Sequence, residues 1–220
     1  MSSLTMPIAD AILAAKALLN HSSKDDTTPV ICGAAVMEHK EQKYIVATDR
    51  YSLGRFLLGD SDLHDGEFGK IIPRDSLVWV SKIVLKALRR GWSTLPVEEG
   101  GYGVRFVWSP SDSNTGALEV EVSIIFQDKV ERSQTFDTPS GTFPPVARLW
   151  READAEVEAA TQIGLSALSL TKIAADVALF EGKDGSTFLD LHSSAGKGAP
   201  VQYQLGDRWT AAVQPNNLRK

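Results

Sequence analysis

Met6-Pro7-Ile8-Ala9-Asp10-Ala11, Ile72-Pro73-Arg74-Asp75-Ser76-Leu77 and Ile163-Gly164-Leu165-Ser166-Ala167-Leu168 are three versions of one helix start. In the first two, Pro directly follows an apolar residue. Pro suits the first helical turn because its missing N–H would have no partner there anyway. The third has Gly164 in that place. Lys16 and Lys82 stand at the same offset from their helix starts, and Lys172 stands one place earlier. Self-similarity at this period marks a chain built from copies of one supersecondary unit.

Working outward, each start opens an amphipathic helix. Ile8, Ile12, Ala15 and Leu19 share one face of the first. The second is expected from Pro73 to about Arg90, with Leu77, Val80, Val84 and Leu88 buried and Gly91 as a stop. The third is expected from Leu165 to Leu179. A short apolar lead-in strand precedes each helix, near Phe68–Ile72 and Val157–Ile163 in the later two, and three strands follow. Those strands fall near Val30–Met37, Tyr44–Thr48 and Leu53–Leu58, then Val104–Trp108, Leu118–Phe126 and Val130–Phe136. The last three lie near Phe188–His192, Val201–Leu205 and Trp209–Val213. Val120, Val122 and Ile124 alternate with Glu119, Glu121 and Ser123, the pattern of a strand with one wet face. The expected fold is α+β: repeated β-α-β-β-β units with helices on one face of antiparallel sheets. Residues 1–148 form one complete domain of two units, about 1–62 and 66–138, closed by a Pro- and Gly-rich connection. Residues 149–220 form a third unit.

Composition bounds the function without choosing it. The 220 residues suffice for a sizeable core, and 43% hydrophobic with 23% charged residues is ordinary for a globular protein. A lone Cys32 rules out an internal disulfide framework and a Cys-rich zinc site. No apolar run approaches the roughly 20 residues that span a bilayer. No Lys or Arg precedes Lys16, unlike a secretory signal, so a cytoplasmic protein without membrane partners is expected. A net charge of −5 argues against a surface that coats nucleic acid all over, while leaving room for a local basic stripe.

Four segments carry a family resemblance. Ile45-Val46-Ala47-Thr48-Asp49-Arg50-Tyr51-Ser52-Leu53 resembles the Ala-Thr-Asp-Gly-His-Arg-Leu signature in the middle domain of bacterial DNA polymerase III beta sliding clamps. Ile71-Ile72-Pro73-Arg74-Asp75 is similar to the Pro-Arg-Lys start of that domain's second helix. Gly141-Thr142-Phe143-Pro144-Pro145-Val146 resembles the Gly-Arg-Phe-Pro-Asp-Tyr segment leading to the last domain. Asp207-Arg208-Trp209 through Val213-Gln214-Pro215 resembles the terminal strand and its closing Met-Pro. All four occur in the family's order. The chain departs from it at Arg50, Tyr51 and Ser52, which stand for Gly, His and Arg. Gln214 stands for Met, and Asn216–Lys220 extend the end. The match covers the middle domain and the second half of the last one, as in a small, divergent clamp.

The resemblance implies a DNA-clamp fold and a processivity factor that encircles double-stranded DNA without sequence preference. Helices would line the hole and touch phosphates loosely. The DNA-facing candidates are Lys82, Lys86, Arg89 and Arg90, with Lys16 and Lys172 as weaker additions. An ordinary solvated lysine face is the plainer reading of the same residues. The resemblance also implies an apolar pocket for peptides of a polymerase or other replication proteins. Its candidates are Ile31, Thr48, Leu53, Pro144, Leu149, Val213 and Pro215, against the commoner fate of strand aliphatics as sheet core. A homo-oligomer is expected, with an edge of the second unit meeting one of the third. A clamp loader stays open as a further partner.

Catalytic readings are thin. Asp60-Ser61-Asp62-Leu63-His64-Asp65-Gly66 lacks the order and closing Glu of a calcium loop and reads first as a solvated acidic hairpin. Gly196-Lys197-Gly198 lacks phosphate-loop spacing. No local motif couples His21, His39, His64 or His192 to Cys32 or a Ser, so no catalytic residue, metal or cofactor is assigned. The alternative to a clamp is a clamp-fold scaffold or regulator that binds protein partners without encircling DNA. A metal-dependent hydrolase using the Asp60–Asp65 loop comes third.

Overall fold

The computed structural model describes residues 2–59, 62–66, 68–83, 97–99, 101–111, 117–127, 129–146, 164–181, 192–193 and 200–215. Strand β1 (Ser2–Pro7) leads into α1 (Ile8–His21), as Pro7 at the helix boundary dictates. A single 3-10 turn (Pro29–Ile31) precedes β2 (Ala34–His39), β3 (Gln42–Thr48), β4 (Ser52–Leu57) and the short β5 (Leu63–Asp65). The second unit has β6 (Ile71–Ile72), α2 (Arg74–Ser81), β7 (Tyr102–Pro110), β8 (Leu118–Phe126) and β9 (Lys129–Asp137). The third has α3 (Ala167–Phe180), β10 (His192–Ser193), β11 (Val201–Leu205) and β12 (Trp209–Val213). Ser166 caps α3, accepting the Ser169 amide at 3.0 Å.

The first two units exchange lead-in strands. β1 pairs antiparallel with β7, Leu4 opposite Phe106, while β6 pairs with β2, Ala34 opposite Ile72. Neither unit has a complete sheet without the other. One sheet runs β5-β1-β7-β8-β9 and the second β10-β11-β12-β4-β3-β2-β6. Strands of the third unit therefore continue the sheet of the first, with β12 antiparallel to β4. The main core lies between the helices and both sheets. Ala11, Ile12, Leu18, Leu77, Val80 and Ile173 meet Phe106, Val122, Phe56 and Trp209 there. A smaller cluster on the other face of the seven-stranded sheet joins Leu53, Val46, Tyr44 and Ala212 to Phe143 and Val146 of the connection.

Several expectations change. The strand expected from Val30 starts at Ala34, because Pro29 opens a turn in which the Ile31 amide bonds the Thr28 carbonyl. The second helix stops at Ser81: the Lys82 and Ile83 amides bond the Trp79 and Val80 carbonyls three residues back, tightening the last turn. Its expected continuation through Arg90 lies outside the described residues, as does the Val157–Ile163 strand. The acidic segment is only in part the solvated hairpin expected: Asp65 and Gly66 are exposed, and Asp60 and Ser61 lie outside the described residues. Leu63–Asp65 pairs with β1, and Asp62 is buried against Arg208. Among the described residues, no group of three His, Cys, Asp or Glu side chains is placed to hold a metal.

Candidate peptide site and nucleic-acid face

The turn between β3 and β4 is built by Asp49. Its Oδ1 accepts the amides of Tyr51 (3.1 Å) and Ser52 (2.8 Å) and the Ser52 hydroxyl (2.9 Å), the side-chain mimic of a backbone turn. Thr48 Oγ1 donates to the Ser52 carbonyl at 2.8 Å. Arg50 sits at φ 78°, a left-handed conformation that costs an L side chain energy and that glycine takes freely. This is the position where the resemblance has Gly. The Arg50 guanidinium reaches the Thr28 hydroxyl, and the Tyr51 ring stands out into solvent, 69% exposed.

The third unit holds this turn from below. Lys172, on α3, ion-pairs with Asp49 Oδ2 and donates to Ser52 Oγ at 2.7 Å. Burial pushes the Asp49 carboxyl up, but the hydrogen bond and charge of Lys172, with the Ser52 bonds, outweigh it and hold the group below the usual carboxylate range. On the far side of the turn, the Gln214 amide donates to the Tyr51 carbonyl at 2.8 Å.

Two further nodes join the first and third units. Asp176, fully buried on α3, accepts from Asn20 Nδ2 (2.9 Å), Tyr203 Oη (2.8 Å) and Trp209 Nε1 (2.8 Å), and its Oδ2 lies 2.9 Å from His21 Nε2. Burial and the Asp176 charge drive the Tyr203 phenol far above its ordinary value, so it stays a donor. At the β11–β12 turn, Arg208 bonds Asp10 Oδ2 (2.6 Å) and the Leu57 carbonyl (2.9 Å), pairs with Asp62, and stacks 4.5 Å over the Phe56 ring. Burial raises Asp62 above the usual carboxylate value despite Arg208. Sequence reasoning missed Asp176. Its signal is a carboxylate on the stripe of α3 that also carries Ile173 and Phe180.

Of the peptide-site candidates, Thr48, Leu53 and Val213 come together on β3, β4 and β12. Thr48 is opposite Leu53, Leu53 opposite Ala212, and Val213 opposite Ser52. Leu53 and Val213 nevertheless face opposite sides of the sheet, Leu53 toward Phe143 and Val146 and Val213 toward the helices. Pro144 is half-buried in the connection that covers Leu53, Pro215 is half-buried just past β12, and Ile31 is buried in its 3-10 turn. Leu149 lies outside the described residues. Of the basic candidates, Lys16 is exposed on α1 and Lys82 at the end of α2. Lys172 is engaged with Asp49, and Lys86, Arg89 and Arg90 lie outside the described residues. Trp79 packs against Phe136 of β9 (6.5 Å between rings), with Arg132 over it at 5.3 Å.

No protein-family profile and no curated protein matches the sequence. Solved structures do. The DNA polymerase III beta subunit of Borrelia burgdorferi, in complex with a natural product, superposes with a TM-score of 0.63 at 9% identity, over 99% of this chain and 64% of that one. The Thermotoga maritima beta subunit gives 0.60 at 10% identity, over 100% and 65%. The Bartonella birtlesii sliding clamp bound to griselimycin gives 0.59 at 14%, over 98% and 66%. The fold is that of a sliding clamp. The chain spans just under two thirds of the length of these clamps. The sliding-clamp fold accounts for the arrangement of the core: among the described residues, α1 lies between α2 and α3, with antiparallel sheets packed against them.

Proposed function

We propose that this chain is a divergent sliding clamp, a non-catalytic processivity factor. In this reading it encloses duplex DNA on its helical face as part of a homo-oligomer and tethers a polymerase or another replication protein by a short peptide. The observation that carries the reading is the row α3-α1-α2 on one face of the sheets, with Lys16 and Lys82 exposed at α1 and α2. Lys86, Arg89 and Arg90, outside the described residues, are the further DNA contacts proposed from their charge in the sequence. Phosphate contacts from such a stripe position the duplex without reading its sequence. A clamp loader remains a compatible partner.

Retention on nicked circular DNA tests this reading. Wild type should be retained on the circle and lost on linearisation, and Lys82→Glu with Lys86→Glu and Arg90→Glu should abolish retention and flatten its salt dependence. Equal retention on linear and circular DNA would end the encircling role.

The peptide would lie against the half-buried Pro144 and Pro215 beside the exposed Tyr51, with Thr48, Leu53, Ile31 and Val213 as buried support; Leu149, outside the described residues, is a further candidate. Preformed apolar surface of this kind accepts a few hydrophobic anchors of an extended segment. Titration of a clamp-binding peptide against wild type and Leu53→Lys reads it.

One observation favours a second reading, a clamp-fold scaffold that binds protein without DNA. Lys172 is spent on Asp49, and α3 turns Leu168 and Leu170 to solvent, 60% and 53% exposed, where a DNA-lining helix would present cations. Peptide binding without any retention on circular DNA would select this reading.

A further inference from the structure

The three repeats carry their lysines to two different places. Lys16 on α1 and Lys82 just past α2 are exposed. Lys172 stands one place earlier in its repeat, which turns it by about 100° around α3. Its side chain is 11% exposed and reaches the β3–β4 turn, where Nζ pairs with Asp49 and donates to Ser52 Oγ at 2.7 Å. Ala167–Phe180 contains no other Lys or Arg, so this contact leaves α3 without an exposed cation.

The contact closes a ring of side chains. Ser52 Oγ accepts from Lys172 and donates to Asp49 Oδ1 at 2.9 Å, while Asp49 Oδ2 returns to Lys172. The same Asp49 Oδ1 holds the Tyr51 and Ser52 amides, and the Arg50 amide donates to Thr48 Oγ1 at 3.2 Å. Arg50 keeps φ 78° inside this frame, a conformation that persists where the surroundings over-determine it. The Tyr51 carbonyl is held from β12 by the Gln214 amide. From that frame the Tyr51 ring projects into solvent.

We propose that Lys172 is a positioning residue of the peptide site: from the helical layer it locks the β3–β4 turn, holds the Tyr51 ring in place and so sets peptide affinity without touching the peptide. The inference rests on the peptide reading and adds its control. With side chains only 11% and 16% exposed, Lys172 and Asp49 are poorly screened, and removing the lysine leaves a carboxylate without its counter-charge. The turn then relaxes, and Arg50 and Tyr51 leave the geometry that the ring of bonds imposes. A turn that holds the binding conformation about one-tenth of the time binds roughly tenfold more weakly. A shift of α3 that parts Lys172 from Asp49 has the same effect, so the helical layer and the peptide site are coupled through one ion pair.

Titration of a clamp-binding peptide tests it on the full chain, at a temperature where circular dichroism shows each variant folded. Lys172→Met should weaken binding roughly tenfold. Asp49→Asn keeps an oxygen for the turn amides and removes the charge that Lys172 meets, so it should weaken binding by a similar factor. Both changes together should cost no more than either alone, because Lys172 acts through Asp49. Arg208→Met loosens the first and third units at the opposite end of β4, beside Phe56 and Leu57. It should lower the unfolding midpoint and leave peptide affinity at wild type. Unchanged affinity in Lys172→Met or Asp49→Asn, or losses that add, overturns the positioning role while the peptide site stands. So does an equal loss in Arg208→Met, which would mean that any loosening between the units suffices. No binding by wild type ends the peptide site and this inference together.

Discussion

Asp49 shows how one carboxylate can set a turn and a domain contact together. Its Oδ1 serves the β3–β4 turn and its Oδ2 the α3 lysine, so the turn and the third unit are fixed by one residue. The pH dependence follows from its depressed value. A carboxyl held below its unfolded value of about 3.9 stabilises the fold above that pH, and the contribution is lost as the pH falls through the folded value. Lys172→Met should lower stability by about 2 kcal/mol near neutral pH in urea unfolding. The difference from wild type should shrink below about pH 4. A difference that persists unchanged in acid would mean that Lys172 acts through packing alone. The Thr48-Asp49 pair was legible in the sequence as part of a signature. Its lysine partner, 123 residues away, was not.

Among the elements, the seam between β4 and β12 depends on a residue with no side chain. A Cβ on Gly54 would come within 2.5 Å of Trp209 Cη2 and 2.9 Å of His21 Cδ2. Trp209 fills that space, stacked on Phe180 with ring centroids 5.6 Å apart, and donates to Asp176. Gly54→Ala should therefore destabilise by about 1–3 kcal/mol, with altered Trp fluorescence as the seam opens. An unchanged unfolding midpoint would show that Trp209 can shift without loss. Most elements were legible: β8, β11 and β12 have the bounds their alternating and apolar runs predict. The second helix was not, because local i to i−3 bonds end it at Ser81 while the apolar stripe runs on in sequence.

At the scale of the whole molecule, the proposed peptide site draws on three segments distant in sequence. β3 and β4 bring Thr48 and Leu53, the connection brings Phe143 and Pro144, and β12 ends beside them at Gln214 and Pro215. Leu53→Lys would set a charge among Phe143, Val146 and Ala212, which is costly without a partner, and should abolish peptide binding. Tyr51→Ala, at an exposed ring, should change affinity while the unfolding midpoint stays at wild type. Peptide affinities unaffected in both folded variants would move the site elsewhere.

The sequence by itself determined the α+β class and the order of the described elements, because helix starts, apolar periods and strand alternation are written in neighbouring residues. It also carried the clamp signatures, which the fold bears out. Only the tertiary structure decided that the first two units exchange lead-in strands and that β12 pairs with β4. It alone showed Lys172 tied to Asp49 and Asp176 buried among Asn20, His21, Tyr203 and Trp209. The physical reason is range. Period and turn chemistry act over a few residues, whereas strand partners and buried charges are chosen by groups from tens to more than a hundred residues apart.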